Sequence, residues 1–421
     1  MDILILGSGG REHALAWAIR QNPKCDRLIC APGNAGIAAV ADCVALDIMN
    51  PAAVVALAKV ENIGFVIIGP EAPLAAGVAD ALRAEGILTF GPSAVAAQLE
   101  SSKAFTKEIC DASGAPTAAW ARFTTAPPAL AYVRERGAPI VIKADGLAAG
   151  KGVFVAMTLA EAEAAVEEMF SGGFGAAGDS VVIENFLCGE EASLFVLTDG
   201  TDILALAGAQ DHKRAYDGDE GPNTGGMGAY SPAPVLSDAL LEQALTTIIR
   251  PTIAEMAKRG TPFQGVLFAG LMIEDGVARL IEYNVRFGDP ECQALMVRLG
   301  GQMLDALLAC AEGQLANAQL NWADDHAVTV VMAAQGYPGA YRKGEVIGGI
   351  DAANALPGVQ VFHAGTTLTG GQTVSNGGRV LNVTARANSL QAARDLAYQA
   401  VALIEWPGGY FRKDICYRAI G

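Results

Sequence analysis

The chain has 421 residues, 52% of them apolar and 18% charged, and a formal net charge of -16. That length exceeds what one hydrophobic core usually serves, so roughly two to four structural units are expected, in an ordinary globular composition. The negative balance argues against general binding to nucleic acid or to a membrane surface, since a polyanion is repelled overall, while locally positive loops can still receive a small anion.

None of the eight cysteines forms a C-x-x-C pair, and most lie in apolar runs. Reduced, buried thiols in a cytoplasmic protein are the expectation. The four histidines are too far apart in sequence for a zinc cluster. The start, Met1-Asp2-Ile3-Leu4-Ile5-Leu6, carries an acid and enters a strand at once, so no leader is expected. No apolar run reaches the roughly 18 residues of a membrane span.

In chain order, Ile3–Leu6 reads as a strand, Gly7-Ser8-Gly9-Gly10 as a tight turn and Arg11–Gln21 as a helix. Strands at Leu28–Cys30, Phe65–Ile68 and Leu88–Phe90 follow, each ending in a Gly/Pro loop. Alternating strands and helices predict an open parallel sheet, with ligands outside the carboxyl ends of its strands, where all four loops fall. Ser101–Ser113 reads as one helix, with Lys103 and Lys107 a turn apart. A strand to Lys143, a loop, strand Val153–Ala156, helix Leu159–Phe170 and strand Val181–Glu184 make a small α/β unit. A long polar loop, Gln210–Pro234, precedes helix Asp238–Lys258, strands Val266–Ile273 and Ala278–Asn284, and a helix from Pro290 toward Glu312. Short strands (Val328–Ala333, Val380–Ala385) close the chain in a small α+β unit.

The most informative stretch is Pro139–Gly152, an apolar run ending in Lys143 and then a small-residue loop with Gly146, Gly150, Lys151 and Gly152. Backbone N–H groups bare of side chains, with lysines as counter-charge, suit a flap over a polyphosphate better than a surface hairpin does. Glu282 and Asn284 alternate on one strand face, and Arg286 continues it. A carboxylate and an amide oxygen suit a hard cation that completes its shell with water and phosphate, and the arginine suits a transferring phosphoryl group. The first turn, Gly7-Ser8-Gly9-Gly10-Arg11-Glu12, fails the dinucleotide pattern at Glu12, a side chain expected to obstruct helix–strand packing there. A small phosphate at that helix N-terminus is the alternative, with Arg11 and His13 adding charge. Val181–Leu187 reads equally as a nucleotide hinge, with Glu191 toward ribose, or as a routine strand. The length of Gln210–Pro234 suggests a lid or binding loop, in which Asp211 would hold an ammonium group.

Together these are the motifs of the ATP-grasp superfamily. In detail the chain closely resembles the phosphoribosylamine–glycine ligase (glycinamide ribonucleotide synthetase) family of de novo purine synthesis, nearly end to end. The resemblance is carried by GxGGREHALAW at Gly7–Trp17, APGNAG at Ala31–Gly36, GPEAPL at Gly69–Leu74 and SKAFTK at Ser102–Lys107. IVIKADGLAAGKGV at Ile140–Val153, GEEAS at Gly189–Ser193, QDHKR at Gln210–Arg214, GPNTGGMGAYSPAP at Gly221–Pro234 and RFGDPE at Arg286–Glu291 extend it. GYPG at Gly336–Gly339, FHAGT at Phe362–Thr366 and SNGGRVL at Ser375–Leu381 complete it.

The resemblance implies an α/β chain: a parallel-sheet N-terminal domain over residues 1–101, an ATP-grasp fold split into 102–190 and 191–322, and an α+β C-terminal domain over 323–421. It implies ligation of glycine to 5-phosphoribosylamine with ATP, through glycyl phosphate, with Mg²⁺ or Mn²⁺. Another ATP-grasp ligase or carboxylase of purine synthesis is the alternative. ATP would meet Lys103, Lys143, Gly146, Gly150, Lys151, Gly152, Glu184, Phe186, Leu187 and Glu191. Glu282 and Asn284 would bind the metal, and Arg286, Asp211 and Lys213 would serve catalysis. Gly9, Gly10, Arg11, His13, Asn34, Glu71, Asn223, Thr224, Gly225 and Asp289 would receive the other substrates. One departure from the wider superfamily is Gly270, where many members carry a further metal-binding acid. Partners are expected to be small molecules only, in the cytoplasm, and a transient contact with the upstream phosphoribosylamine-forming enzyme is left open.

Overall fold

The computed structural model describes residues 1–147 and 152–420. The N-terminal strands form a wholly parallel sheet in the order Asp42–Cys43, Arg27–Pro32, Asp2–Gly7, Phe65–Ile68, Leu88–Phe90. Ile3, Leu4, Ile5 and Leu6 are all fully buried, as expected of a central strand covered on both faces. The four Gly/Pro loops lie at the carboxyl ends, as the sequence predicts.

A second sheet, Trp120–Phe123, Val181–Asn185, Ile140–Ala144, Val153–Ala156, is antiparallel and backed by helices Ala126–Arg136 and Leu159–Phe170. It has a core of its own around Ile142, Val166 and Ile183. A third, antiparallel sheet runs Ile203–Ala205, Glu190–Asp199, Gln264–Glu274, Val277–Asn284. Its two faces share cores with the two faces of the N-terminal sheet: Phe195 and Leu197 pack with Ile3 and Ile5, and Leu194 and Val196 with Leu4 and Leu6. That sharing brings the loops of the parallel sheet against the end of the Val277–Asn284 strand.

The segment read as a long loop, Gln210–Pro234, is a correction. Gln210–Asp211 and Gly228–Ser231 pair with each other and extend the C-terminal sheet through His326–Ala334, Arg379–Ala387 and Val359–His363. Between them Arg214–Tyr216 and Glu220–Asn223 form a hairpin. Two helices are also broken. Ser102 is extended and caps Lys103–Ser113 through its hydroxyl, separating it from Gln98–Ser101. The helix after Pro290 stops at Leu299 and restarts at Gln302, bent by 109°, because Gly300 takes a left-handed φ of 56°. Helix Asp238–Lys258 keeps its course but opens into a π-turn at Leu245–Ile249, next to Pro251, which lacks the N–H to continue the ladder. Among the described residues no single helix is long and apolar enough to cross a membrane.

Candidate active site

The Ile140–Ala144 strand carries Lys143 inward, where its Nζ lies 2.9 Å from Glu184 Oε1 and 3.3 Å from the Ile281 carbonyl oxygen. Lys107 Nζ reaches Glu184 Oε2 at 2.9 Å and donates to Thr117 Oγ1 at 2.6 Å. Glu184 is therefore a buried counter-ion between two lysines; of the following residues read as a hinge, Asn185 is exposed and Phe186 and Leu187 are half-buried. Asp145 ties the root of the loop to the start of helix Lys103–Ser113, accepting from Ser102 Oγ at 2.9 Å and the Ala104 N–H at 3.1 Å, and it also accepts from Ser180 Oγ at 2.7 Å. Gly146 packs against Ala177, and the Gly152 carbonyl accepts from the Ala144 N–H at 2.8 Å. Gly150 and Lys151 lie outside the described residues.

Lys103 faces the Val277–Asn284 strand, its Nζ 3.5 Å from Glu282 Oε2. Burial works against charge on Glu282, but Lys103, Lys143, Lys213 and Arg286 outweigh it and pull the carboxyl down to about 2. The carboxylate is thus held anionic among cations, the balance expected where a polyphosphate and a divalent cation would enter together. Asn284 Oδ1 accepts from Arg286 Nη2 at 3.1 Å. Glu282 and Asn284 offer two oxygens, and among the described residues no cluster of three or more His, Cys, Asp or Glu side chains could hold a metal. Such a pair fits Mg²⁺-like binding, in which substrate phosphates supply further ligands. Gly270 stands directly opposite Glu282 across the sheet, so no further acid enters from that side.

Arg286 bridges to the N-terminal domain, at 3.3 Å from Glu100 and 3.5 Å from Glu71. Its Nε is buried with no hydrogen-bond partner. Glu100 also accepts the Val285 N–H at 2.7 Å, so this buried acid fixes the backbone between Asn284 and Arg286. Beside them, Lys213 Nζ lies 2.9 Å from Asp211 Oδ1 and 2.7 Å from Glu191 Oε2. Burial opposes the lysine's charge, yet Asp211 and Glu191 hold its proton well above the usual range. Glu291, buried and accepting from Ser193 Oγ at 3.2 Å, is pushed up by burial and then by the charge of Asp211. These carboxylates already surround one ammonium group.

A cavity of about 700 Å³ opens between the first turn and the C-terminal sheet, bordered by Gly9, Asn34, Asp289, Thr366, Asn376 and Arg379. Gly9, Asn34 and Asp289, three of the residues read as substrate-binding, lie together there. Gly10, Arg11 and His13 are corrections. Gly10 is buried against Asn382 and Gln293. Arg11 points inward, donating to Glu12 Oε1 at 2.6 Å and to the Phe287 carbonyl at 3.0 Å. His13 Nδ1 accepts the His363 N–H at 2.8 Å, and burial, with His363 second, drives it down to about 3, so it is neutral and adds no charge. Glu12 does not obstruct the turn. Its side chain fills the space left by Gly7 and Gly69, where any Cβ would collide with it, and Oε2 accepts the Gly9 N–H at 2.6 Å. Thr224 Oγ1 donates to the Lys213 carbonyl at 2.8 Å, Gly225 accepts from Arg379 at 2.7 Å, and Asn223 is exposed.

Family profiles match almost the whole chain: the phosphoribosylglycinamide synthetase N domain over residues 1–100, its ATP-grasp (A) domain over 101–292 and its C domain over 327–418. The chain belongs to the phosphoribosylglycinamide synthetase family. The phosphoribosylamine–glycine ligase of Agrobacterium fabrum is 59% identical over 420 residues, covering 100% of this chain and 99% of the relative. The chloroplastic ligase of Arabidopsis thaliana is 55% identical over 418 residues, 97% of this chain and 79% of the relative. The crystal structure of the Thermotoga maritima ligase superposes with a TM-score of 0.86 at 30% identity, covering 99% of this chain and 100% of that one. A biotin carboxylase domain from Hydrogenobacter thermophilus shares the fold, with a TM-score of 0.71 at 17% identity over 97% of this chain and 91% of that one.

Within this family site, sequence reasoning missed Lys107, Glu100, Glu291 and Arg379. Lys107 is noted in the sequence one helical turn from Lys103, but that spacing gives no hint of its pairing with Glu184. Arg379 sits in the SNGGRVL motif, yet nothing in the sequence brings it 3.6 Å from Asp289.

Proposed function

We propose that the chain joins glycine to 5-phosphoribosylamine with ATP, giving glycinamide ribonucleotide, ADP and phosphate. The observation that carries this reading is the Lys103–Glu282 junction, where nucleotide-side cations meet the metal strand at 3.5 Å, beside the carboxylates around Lys213. A carboxylate is a poor acyl donor. The glycine carboxylate therefore takes the γ-phosphoryl group of ATP and releases ADP; the amine nitrogen of phosphoribosylamine then attacks the acyl carbon, loses a proton, and phosphate departs.

Lys103, Lys143 and the loop from Gly146 to Gly152 receive the triphosphate, while Phe186, Leu187 and Glu191 flank the nucleoside. Glu282 and Asn284 would hold a divalent cation, Mg²⁺ or Mn²⁺, whose chemistry would be to neutralise phosphoryl charge. Arg286, braced by Glu71 and Glu100, faces the same oxygens. Asp211 and Glu291 take the glycine ammonium, and Lys213 its carboxylate. Phosphoribosylamine enters the cavity of Gly9, Asn34 and Asp289, where Arg379 supplies positive charge. The side chains position and neutralise, and none is needed as a nucleophile.

Incubation with ATP, Mg²⁺ and phosphoribosylamine tests the reading when glycine, formate or bicarbonate is added in turn. ADP release is expected with glycine alone. Release that ignores glycine, or that follows formate or bicarbonate, would overturn it.

A further inference from the structure

The last residues of the chain fold back onto the segment that bears Asp211 and Lys213. Arg412, fully buried, donates from Nε and Nη2 to the two oxygens of Asp414 at 2.8 and 2.7 Å, and from Nη1 to Asp219 Oδ1 at 2.8 Å and the Arg214 carbonyl at 3.1 Å. Asp414 in turn accepts the Gly218 N–H at 2.8 Å, and Asp217 accepts the Lys413 N–H at 2.7 Å. The Cys416 N–H donates to His212 Nε2 at 2.9 Å, which leaves the imidazole proton on Nδ1. Arg418 reaches the Asp211 carbonyl at 3.3 Å and Asp219 Oδ2 at 2.5 Å, and Tyr417 donates to Asp219 Oδ2 at 2.6 Å. The terminal segment is itself anchored, because the Tyr398 hydroxyl on helix Leu390–Val401 donates to the Arg412 carbonyl at 2.7 Å and accepts the Ile415 N–H at 3.0 Å.

We infer that Arg412–Arg418 is a positioning element of the active site, a clamp that fixes the backbone of Asp211-His212-Lys213 and so sets where the Asp211 carboxylate and Lys213 ammonium meet glycine. His212 lies between those two residues and is gripped from the terminus through its ring, so a rotation of its backbone would swing both neighbours. Buried bidentate Arg–carboxylate pairs resist such rotation because neither partner can be released into water cheaply. The terminal segment touches neither Lys103, Lys143 nor Glu282, so its effect falls on the amino acid and not on ATP. The inference rests on the proposed contact of Asp211 and Lys213 with glycine.

Steady-state kinetics on the full chain separate the outcomes. Arg412→Met strands two aspartates, so the informative variant is Tyr417→Phe with Arg418→Gln, nearer the surface. The double variant is expected to raise the KM for glycine about tenfold while the KM for ATP stays within about twofold, and Arg418→Lys should recover part of the loss. Melting curves accompany each measurement. An unchanged glycine KM in the double variant, with Asp211→Asn raising it, would overturn the clamp. So would a uniform loss of kcat with a lowered Tm and no split between glycine and ATP, which marks a structural role alone. If Asp211→Asn and Lys213→Met themselves leave the glycine KM untouched, the underlying reading of the glycine site fails first, and the clamp has nothing to position.

Discussion

The Lys143 ammonium lies 2.9 Å from the Glu184 carboxylate, and both side chains are almost sealed from solvent. Lys107 reaches the same carboxylate from the other side, so the buried cluster carries one surplus positive charge. Burial lowers the affinity of Lys107 for its proton, and although Glu184 raises it, the repulsion of Lys143 helps leave Lys107 below the usual lysine range. Glu184→Ala would leave two ammonium groups facing each other and is expected to cost about 3–5 kcal/mol of stability. Lys107→Met leaves a balanced pair and should cost clearly less. Urea unfolding of the two variants checks the order; equal losses would mean that the surplus charge is already neutralised in another way.

The position of Glu282 among Lys103, Lys143, Lys213 and Arg286 yields a second expectation. In EDTA the carboxylate repels the triphosphate, so Glu282→Gln should bind ATP more tightly than the parent protein. With Mg²⁺ present the same variant should lose turnover by roughly 100-fold or more, the scale of a lost electrostatic contact to a reacting group. Calorimetric titration of ATP with and without Mg²⁺, beside an ADP-release assay, reads both. Weaker ATP binding in EDTA would contradict a carboxylate placed against the phosphates.

Arg379 enters the large cavity from the C-terminal sheet and forks onto the Gly225 carbonyl at 2.7 Å, with Asp289 Oδ1 at 3.6 Å. If its charge meets the phosphate of phosphoribosylamine, Arg379→Met should raise that substrate's KM by about 10- to 100-fold, with smaller changes for ATP and glycine. Arg379→Lys keeps the charge but loses the fork, and should fall between. Equal rises for glycine and phosphoribosylamine would instead make Arg379 a brace for the Gly225–Gly226 turn.

Local pattern made most strands readable, since Phe65–Ile68 and Val153–Ala156 are short apolar runs bounded by turn residues. The loops at the carboxyl ends of the parallel sheet followed from topology. What the sequence hid is settled at long range. Glu12 looks too large for its turn until Gly69, far along the chain, is seen to leave room for it. The polar run Gln210–Pro234 has no strand signature, yet its backbone groups are taken up by strands that begin at His326. Lys103, Lys143, Glu282 and Asn284 were legible because each sits in a patterned motif. Glu100 was not, because its role is to hold the Val285 N–H 185 residues away. His13 was misread for a related reason: a histidine beside a phosphate-like turn suggests charge, but its burial is decided by the C-terminal domain.

That histidine pair gives the remaining prediction. His13 is pushed down to about 3 by burial and by His363, and His363 is pushed down to about 4 by burial, which Asp351 only partly offsets. Both rings are therefore neutral in the folded chain, while in the unfolded chain they titrate near the ordinary value of about 6.5. The unfolded state then binds more protons between about pH 6.5 and 4, so folding stability is fully present above about pH 6.5 and is lost as the pH falls through that window. Depressions of this size correspond to a few kcal/mol for each buried ring, as an order of magnitude. The His363 N–H to His13 Nδ1 bond, at 2.8 Å, joins the N-terminal helix to the C-terminal sheet, so the weakening should fall on that junction. Thermal unfolding at pH 7.5, 6.0 and 5.0 is expected to show a falling Tm, and His13→Gln should flatten the fall while lowering Tm at neutral pH through the disturbed packing. A Tm that stays level down to pH 5 in the parent protein would mean that these rings are solvated enough to take up protons without opening the junction.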